Sequence, residues 1–192
     1  MNNETILSTA NLQTSAPTVR PWVRFFARQM DIMIFTSVLV FFLEAISLGY
    51  PNIFLGVNDM FSGVIAILFD MLILFLWVFV EAVFLSTFGA TPGKWLLRVT
   101  VRDSEGKKLT FLRALRRSFL VWLKGLGIGI PILTAITPIF AYNRLIKRGI
   151  TSWDRDCHTT VSHQRIGIIR TMIAIGLPAA IFTAGVLPNI FQ

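Results

Sequence analysis

Long apolar segments dominate the pattern of hydrophobic and polar positions along the chain. Four of them stand out, and they cover residues 32–48, 61–88, 125–143 and 171–192. A helix needs about 20 apolar residues to cross the hydrocarbon core of a bilayer. The first two segments therefore predict membrane-spanning helices, and the second is long enough to cross at a tilt. We expect an all-α membrane protein, a helical bundle of three to four hydrophobic segments.

Composition supports the same class of protein. Hydrophobic residues make up 54% of the chain, charged residues only 15%, and the mean hydropathy is +0.68. These values lie outside the range of soluble globular domains.

Residues 1–19 are polar and lack the apolar core of a secretory signal, so they predict a disordered tail. The net charge of +8 predicts contact with anionic lipid headgroups rather than nucleic acid, because the bases flank apolar segments.

The distribution of basic residues predicts a topology. All 18 Lys and Arg fall within residues 20–28, 94–124 and 144–170, and residues 49–60 contain none. Because basic loops stay in the cytoplasm, the amino terminus and the 94–124 block are expected there, with the short 49–60 loop outside. The chain is thus expected to be a multi-pass membrane protein with a cytoplasmic amino terminus.

The third apolar segment, residues 125–143, allows two topologies. It contains Gly127, Gly129, Pro131 and Pro138. A plain span would leave the last block of bases outside. A re-entrant or interfacial hairpin, bent in its Gly/Pro-rich middle, would return the chain to the cytoplasm, and the charge rule favours this alternative.

The basic segment 94–124 is less apolar than its neighbours. Residues 97–102 alternate, residues 103–106 form a turn signal and residues 107–110 can pair back, so the pattern predicts a short cytoplasmic β-hairpin. An amphipathic helix follows, suited to the plane of the membrane interface. Its basic face consists of Arg113, Arg116, Arg117 and Lys124. The first three of these bases, together with Lys94, are expected to contact lipid headgroups or a protein partner.

Two carboxylates lie within the second apolar segment. Asp70 and Glu81 are eleven residues apart, which puts them about 20° apart on one helical face. Carboxylates inside a span can supply oxygen ligands for a hard cation, or exchange protons when burial raises their pKa. The alternative is that each simply pairs with a basic residue. Both possibilities stay open from the sequence alone.

A second group of charges lies at the start of the first span. Arg24 and Asp31 are seven positions and about 20° apart on a helix, with Arg28 beside them. Charges at the mouth of a span are costly unless they face each other, protein or water. The stripe therefore predicts a functional site or a fastening between helices.

Other kinds of site are not supported. The stretch Gly89–Lys94 has three rather than four residues between its glycines, and Trp95 stands where a phosphate-binding loop needs Ser or Thr. The turn residues 154–158 include Asp, Cys and His, but adjacent residues seldom converge on a metal without a second cluster. Without a placed catalytic arrangement, neither an enzyme nor a cofactor is expected.

Four motifs carry a resemblance to a known family. The first is Arg24-x-x-Ala27-x-x-x-Asp31 in the first span. The second is Gly-Ala-Thr-Pro-Gly-Lys at residues 89–94. Each motif is weak on its own, and the combination is specific.

The other two motifs lie further along the chain. Arg113-Ala-x-x-Arg117 belongs to the basic helix, and Trp-Asp-Arg follows at residues 153–155. Taken together, from residue 22 to about residue 161, the motifs resemble the RDD family of prokaryotic membrane proteins, named for an arginine and two aspartates. The resemblance makes Asp154 the second aspartate, so a cytoplasmic network with Arg24 and Asp31 is expected, either structural or gating.

The resemblance implies a helical membrane domain over residues 20–165 in the prokaryotic cytoplasmic (inner) membrane, with the hydrophobic segment 166–192 as an addition. A sodium/proton antiport role is proposed for some family members. We therefore expect a small cation transporter or antiporter component, as a homo-oligomer. The residues expected to exchange ions or protons are Asp31, Asp70, Glu81 and Asp154. The alternative is a non-transporting interaction or assembly protein that binds a partner through its basic cytoplasmic face. Acids lining one polar cavity would favour transport, and acids each paired with a base would favour assembly.

Overall fold

The computed structural model describes residues 20–49 and 63–190. The predicted disordered tail (residues 1–19) and nearly all of the predicted outer loop lie outside this part of the chain. The helices are α1 (Pro21–Gly49), α2 (Gly63–Thr87), α3 (Pro92–Leu96), α4 (Phe111–Gly125), α5 (Pro131–Arg148), α6 (Ser152–Asp156) and α7 (Ile168–Ile190). The strands are β1 (Val99–Asp103) and β2 (Thr159–His163), and a 3-10 turn covers Gly127–Gly129. The described part of the chain is therefore mostly helical, with one small sheet.

Two helices are long and apolar enough to cross a membrane. They cover Pro21–Leu43 of α1, with a mean hydropathy of 1.6, and Ile67–Thr87 of α2, with a mean hydropathy of 2.4. They correspond to the first two apolar segments of the sequence. Within α7, a shorter apolar helix covers Ile168–Ala180. Many large apolar side chains of these helices are exposed, as expected of surfaces that face lipid.

The predicted β-hairpin is wrong in its pairing. The turn at residues 103–106 forms, with the Gly106 N–H donating to the Asp103 carbonyl at 3.1 Å. However, β1 pairs antiparallel with β2, so that Val99 lies opposite His163 and Asp103 opposite Thr159. Residues 107–110 form no strand, because Leu109 turns into the core beside Val101. The β-branched residues of β2 suit a strand better.

The Gly/Pro-rich segment breaks at its start rather than in its middle. Positive φ values at Gly127, Ile128 and Gly129 end the helical path after α4. The next helix, α5, then continues through Pro138 to Arg148. The predicted bend is therefore displaced towards the amino-terminal end of the segment, and whether the segment crosses a membrane stays a prediction.

The core lies where α2, α4 and β1 meet. The predicted helix after the turn is confirmed as α4, and its buried stripe includes Ala114, Ser118 and Val121. One apolar cluster joins Ala114 to Ala82 and Leu85 of α2. A second cluster joins the start of α1 to β1. These contacts gather the charged ends of α1, α2 and α4 in one region.

Candidate functional site: a buried network of charges

Six charged side chains from five helices meet in this region with alternating sign. In order of contact, this buried network consists of Asp31, Lys94, Glu81, Arg117, Asp154 and Arg24. Five of its members are buried, and the Arg24 side chain is 17% exposed. Three acids and three bases make the network neutral in sum. Neutrality matters because an unpaired buried charge is strongly unfavourable.

Asp31 is held by the stretch that begins α3. Its carboxylate accepts hydrogen bonds from the Thr91 hydroxyl and, at 2.6 Å, from the Gly93 N–H. The Lys94 ammonium lies 3.5 Å from Asp31 Oδ2. A Cβ on Gly93 would lie 2.5 Å from the Ala27 carbonyl oxygen, so the close approach of α3 to α1 requires glycine here.

Glu81 joins the two halves of the network. Its Oε1 lies 2.7 Å from the Lys94 ammonium and 3.8 Å from Nη1 of Arg117. Lys94 also donates to the Thr91 hydroxyl oxygen at 3.2 Å. The Lys94 ammonium is therefore surrounded by oxygen atoms from three residues.

Asp154 accepts more hydrogen bonds than any other acid of the network. Arg117 donates to Oδ1 through Nη2 at 2.8 Å and through Nε at 2.9 Å, and Arg24 donates to Oδ2 at 3.1 Å. The Thr151 and Thr159 hydroxyls add donors at 2.7 and 3.1 Å. Burial alone would raise the pKa of Asp154, but Arg117 and Arg24 hold this pKa below its usual range. The carboxylate is therefore ionised at neutral pH.

The arginine end of the network extends to the small sheet. Arg24 donates through Nε to Nε2 of His163 at 3.0 Å and through Nη2 to the Val161 carbonyl at 3.4 Å. Burial, together with the nearby charges of Arg24 and Arg20, lowers the pKa of His163 to about 4. His163 is thus neutral at physiological pH and can accept this hydrogen bond.

Arg28 lies beside the network without a carboxylate partner among the described residues. Its guanidinium lies over the Trp153 ring, 5.3 Å from the ring centroid. Its Nε is buried and has no hydrogen-bond acceptor in the described part of the chain. Arg28 therefore adds one uncompensated positive charge to a neutral network.

The structure brings together some of the predicted site residues and separates others. Arg24 and Asp154 pair directly, and Asp31 connects to them only through Lys94, Glu81 and Arg117. Within the described residues, no ion pair involves Asp70, which is exposed.

The expected contact of four bases with headgroups or a partner is corrected for two of them. Lys94 and Arg117 are buried, because they neutralise Glu81 and Asp154. Arg113 and Arg116 are exposed. Helical periodicity predicts Arg117 on the same exposed basic face as Arg113. The prediction is wrong because the carboxylates that bury Arg117 lie more than thirty residues away in the sequence and leave no periodic signal.

The central position of Lys94 was not predicted. The only sequence signal was its place at the end of Gly-x-Thr-x-Gly-Lys, where a basic residue follows a glycine that allows close packing.

In the described residues, no three His, Cys, Asp or Glu side chains converge as metal ligands. Asp156, in the unusual turn after Asp154, pairs with Lys124 at 2.8 Å.

Comparison with known proteins places the chain in a family. The model of the RDD family matches residues 18–155, well over half of the 192 residues, and this range includes all six members of the buried network. Among curated proteins and solved structures, none matches the chain. The RDD family is a membrane domain, which fits the apolar character of α1 and α2. The chain belongs to the RDD family.

Proposed function

We propose that this protein is a non-transporting membrane interaction or assembly protein, which binds an acidic protein partner through a basic cytoplasmic face. The observation that supports this proposal is the neutralisation of Asp31, Glu81 and Asp154 by neighbouring bases. Paired acids of this kind fasten helices to one another and need no transported ion to balance them.

Ion binding at these carboxylates would compete with the hydrogen bonds that they already accept. Both oxygens of Asp31 and of Asp154 accept from N–H or O–H donors. A cation that replaced Arg117 would leave an arginine buried without a partner. Breaking one side of a buried ion pair costs about 3–5 kcal/mol, so the network favours its own bases over an external cation.

The proposed docking surface is the exposed basic side of α4. Arg113 is the clearest member, with 64% of its side chain exposed, and Arg116 is exposed beside it. Their charges are not needed by the buried network. Long basic side chains at a rim attract acidic partners over a distance and make association sensitive to salt. The distribution of basic residues supports a cytoplasmic position for this end of the protein.

Co-purification of the full-length protein with its partner tests this proposal. Chemical cross-linking in native membranes is followed by purification in mild detergent at low and high salt. We expect an acidic protein to co-purify at low salt and to be released at high salt. The double variant Arg113→Gln/Arg116→Gln should lose this complex at least tenfold.

A matched control removes the same charge elsewhere. Lys147 and Arg148 are exposed at the end of α5, and neutralising both should leave the complex intact. Equal losses in the two double variants, or cross-linked products that contain only this chain, would contradict the proposed partner site.

A second function is favoured by the surroundings of Lys94. Oxygens of Asp31, Glu81 and Thr91 lie 3.5, 2.7 and 3.2 Å from its ammonium nitrogen. A sodium ion that displaced the Lys94 ammonium would find the same hard oxygen ligands. Exchange of sodium against protons at this oxygen cluster would be the antiport reaction.

Proteoliposomes with an internal pH dye separate the two functions. Antiport predicts sodium-triggered proton flux that is lost in Glu81→Gln and kept in Asp70→Asn. The interaction function predicts flux no greater than in protein-free liposomes for the wild type and both variants. The flux assay requires no partner, so its result is independent of the co-purification.

A further inference from the structure

A cavity of about 620 Å³ lies between the start of α1 and α5, next to the buried network. Its volume is within the range of small-molecule sites, which is about 300–1,000 Å³. Its charged lining consists of four bases and one acid, Arg24, Arg28, Lys94, Arg117 and Asp154, and most of the rest of the wall is apolar. The cavity thus combines a cationic end with a hydrocarbon-like wall.

The cationic end carries unused hydrogen-bond donors. Among the described residues, neither Arg28 Nε nor Arg117 Nη1 has a hydrogen-bond acceptor, although both atoms are buried. Arg117 Nη1 is also 3.8 Å from Glu81, beyond hydrogen-bonding distance. Buried donors of charged groups are costly when unpaired. Arg28 lines the cavity and has no carboxylate partner among the described residues, so an anionic group there would balance its charge.

The apolar end of the cavity reaches the outer surface of the helices. Trp22 and Ile139 line the cavity, yet they are 60% and 59% exposed. Trp22 and Tyr142 connect α1 to α5 at this side, with ring centroids 5.5 Å apart. A hydrocarbon tail that leaves the cavity here would meet an apolar surface rather than a polar one.

We propose that the cavity binds one anionic lipid of the surrounding bilayer. Its phosphate lies against Arg28, beside Arg117, and its acyl chain lies along the apolar wall at Pro138 and Ile139. Arginine suits this role because its planar, delocalised charge matches a phosphate, and Arg28, unlike Arg117, has no carboxylate to occupy its donors. The site is separate from the exposed basic face of α4 and does not depend on partner binding there.

Fluorescence quenching of the detergent-solubilised, full-length protein tests the site. The probes are phosphatidylglycerol and phosphatidylcholine with the same brominated acyl chains, which quench tryptophans on contact, and inorganic phosphate as a competitor. Two of the five tryptophans, Trp22 and Trp153, line the cavity. We expect phosphatidylglycerol to bind at least tenfold more tightly than phosphatidylcholine, and millimolar phosphate to leave its binding unchanged.

Three variants locate the binding. Arg28→Gln should abolish the preference for phosphatidylglycerol, and Arg113→Gln, on the exposed face of α4, should retain it. Ala135→Phe adds bulk to the apolar wall of the cavity and adds no tryptophan to the assay, and it should weaken the binding of both lipids at least tenfold. This variant carries the test if Arg28→Gln does not fold.

Three results would overturn the proposal. Equal binding of the two lipids by the wild type would remove the anionic preference. An unchanged preference in Arg28→Gln, or unchanged lipid binding in Ala135→Phe, would place the lipid elsewhere. Displacement of phosphatidylglycerol by millimolar phosphate would assign the arginines to a free anion instead.

Discussion

The two ends of α2 carry one carboxylate each, in opposite environments. Glu81 is buried and lies within 3.8 Å of both Lys94 and Arg117. Asp70, eleven residues earlier, is exposed between the exposed side chains of Leu68 and Leu72. The two acids share a helical face. However, the charged side chains of α3, α4 and α6 (Lys94, Arg117 and Asp154) gather around Glu81 and not around Asp70. The packing of short neighbouring helices, and not helical periodicity, therefore decides which acid joins the site.

The largest expected effect is at the Glu81 end, from Asp154→Asn. This change leaves Arg117 and Arg24 without their shared buried counter-charge, so we expect a loss of about 3–5 kcal/mol in the free energy of unfolding. Urea unfolding in mild detergent, followed by near-UV circular dichroism, measures it. A loss below about 1 kcal/mol would break the distinction between the two ends of α2.

A somewhat smaller loss is expected from Gly93→Ala. The added methyl group would lie 2.5 Å from the Ala27 carbonyl oxygen and 2.9 Å from Oδ1 of Asp31, forcing α3 away from α1. Overpacking of this kind costs about 1–3 kcal/mol. Gly176→Ala is the matched control, because its Cβ would meet nothing within 4 Å. The melting temperature should fall in the first variant only, and equal shifts would contradict the close approach.

The free energy of unfolding should depend on pH because the pKa of His163 differs between the folded and unfolded states. In the unfolded chain its pKa is about 6.5, and in the folded protein it is about 4. Below pH 6.5 the unfolded chain therefore binds a proton that the folded protein does not, and stability declines as the pH falls towards 4. Above pH 6.5 this contribution is fully present.

Two variants check the assignment to His163. Gln at position 163 still offers an oxygen to Arg24 but does not titrate, so His163→Gln should flatten unfolding curves between pH 6.5 and 4. His158→Gln, at an exposed position, should keep the wild-type slope. A slope that is unchanged in His163→Gln would show that burial and the Arg24 contact do not keep this histidine neutral.

The smallest effect is expected from Asp70→Asn. Since no ion pair of Asp70 exists among the described residues, neutralising it should not measurably change urea unfolding under the conditions used for Asp154→Asn. A loss comparable to that of Asp154→Asn would show that the two ends of α2 are equally engaged, and the contrast between them would fail.

Hydrophobic patterning accounts for much of the fold. The apolar runs in α1 and α2 need no distant partner to be recognised, because length and composition alone define them. The same holds for α4, whose amphipathic period marks a helix of 15 residues. Arg24 and Asp31 were likewise predictable as site residues from their shared helical stripe.

Contacts between distant segments account for what patterning missed. β1 has a nearby candidate partner in residues 107–110, yet it pairs with β2, some 60 residues away. Lys94 sits beside Glu81 only because Gly93 lets α3 approach α1. Such contacts depend on tertiary packing, for which a single sequence offers no periodic signal.

A double-mutant cycle between Asp154 and Arg117 tests most directly whether the buried network holds the helices together. The free energies of unfolding of Asp154→Asn, Arg117→Gln and the double variant are compared with that of the wild type. Because the two side chains are joined at 2.8 and 2.9 Å, we predict that the double variant loses less than the sum of the single losses, with a coupling of about 1.5–3 kcal/mol. Additive losses, within about 0.5 kcal/mol, would contradict a structural ion pair at the centre of this site.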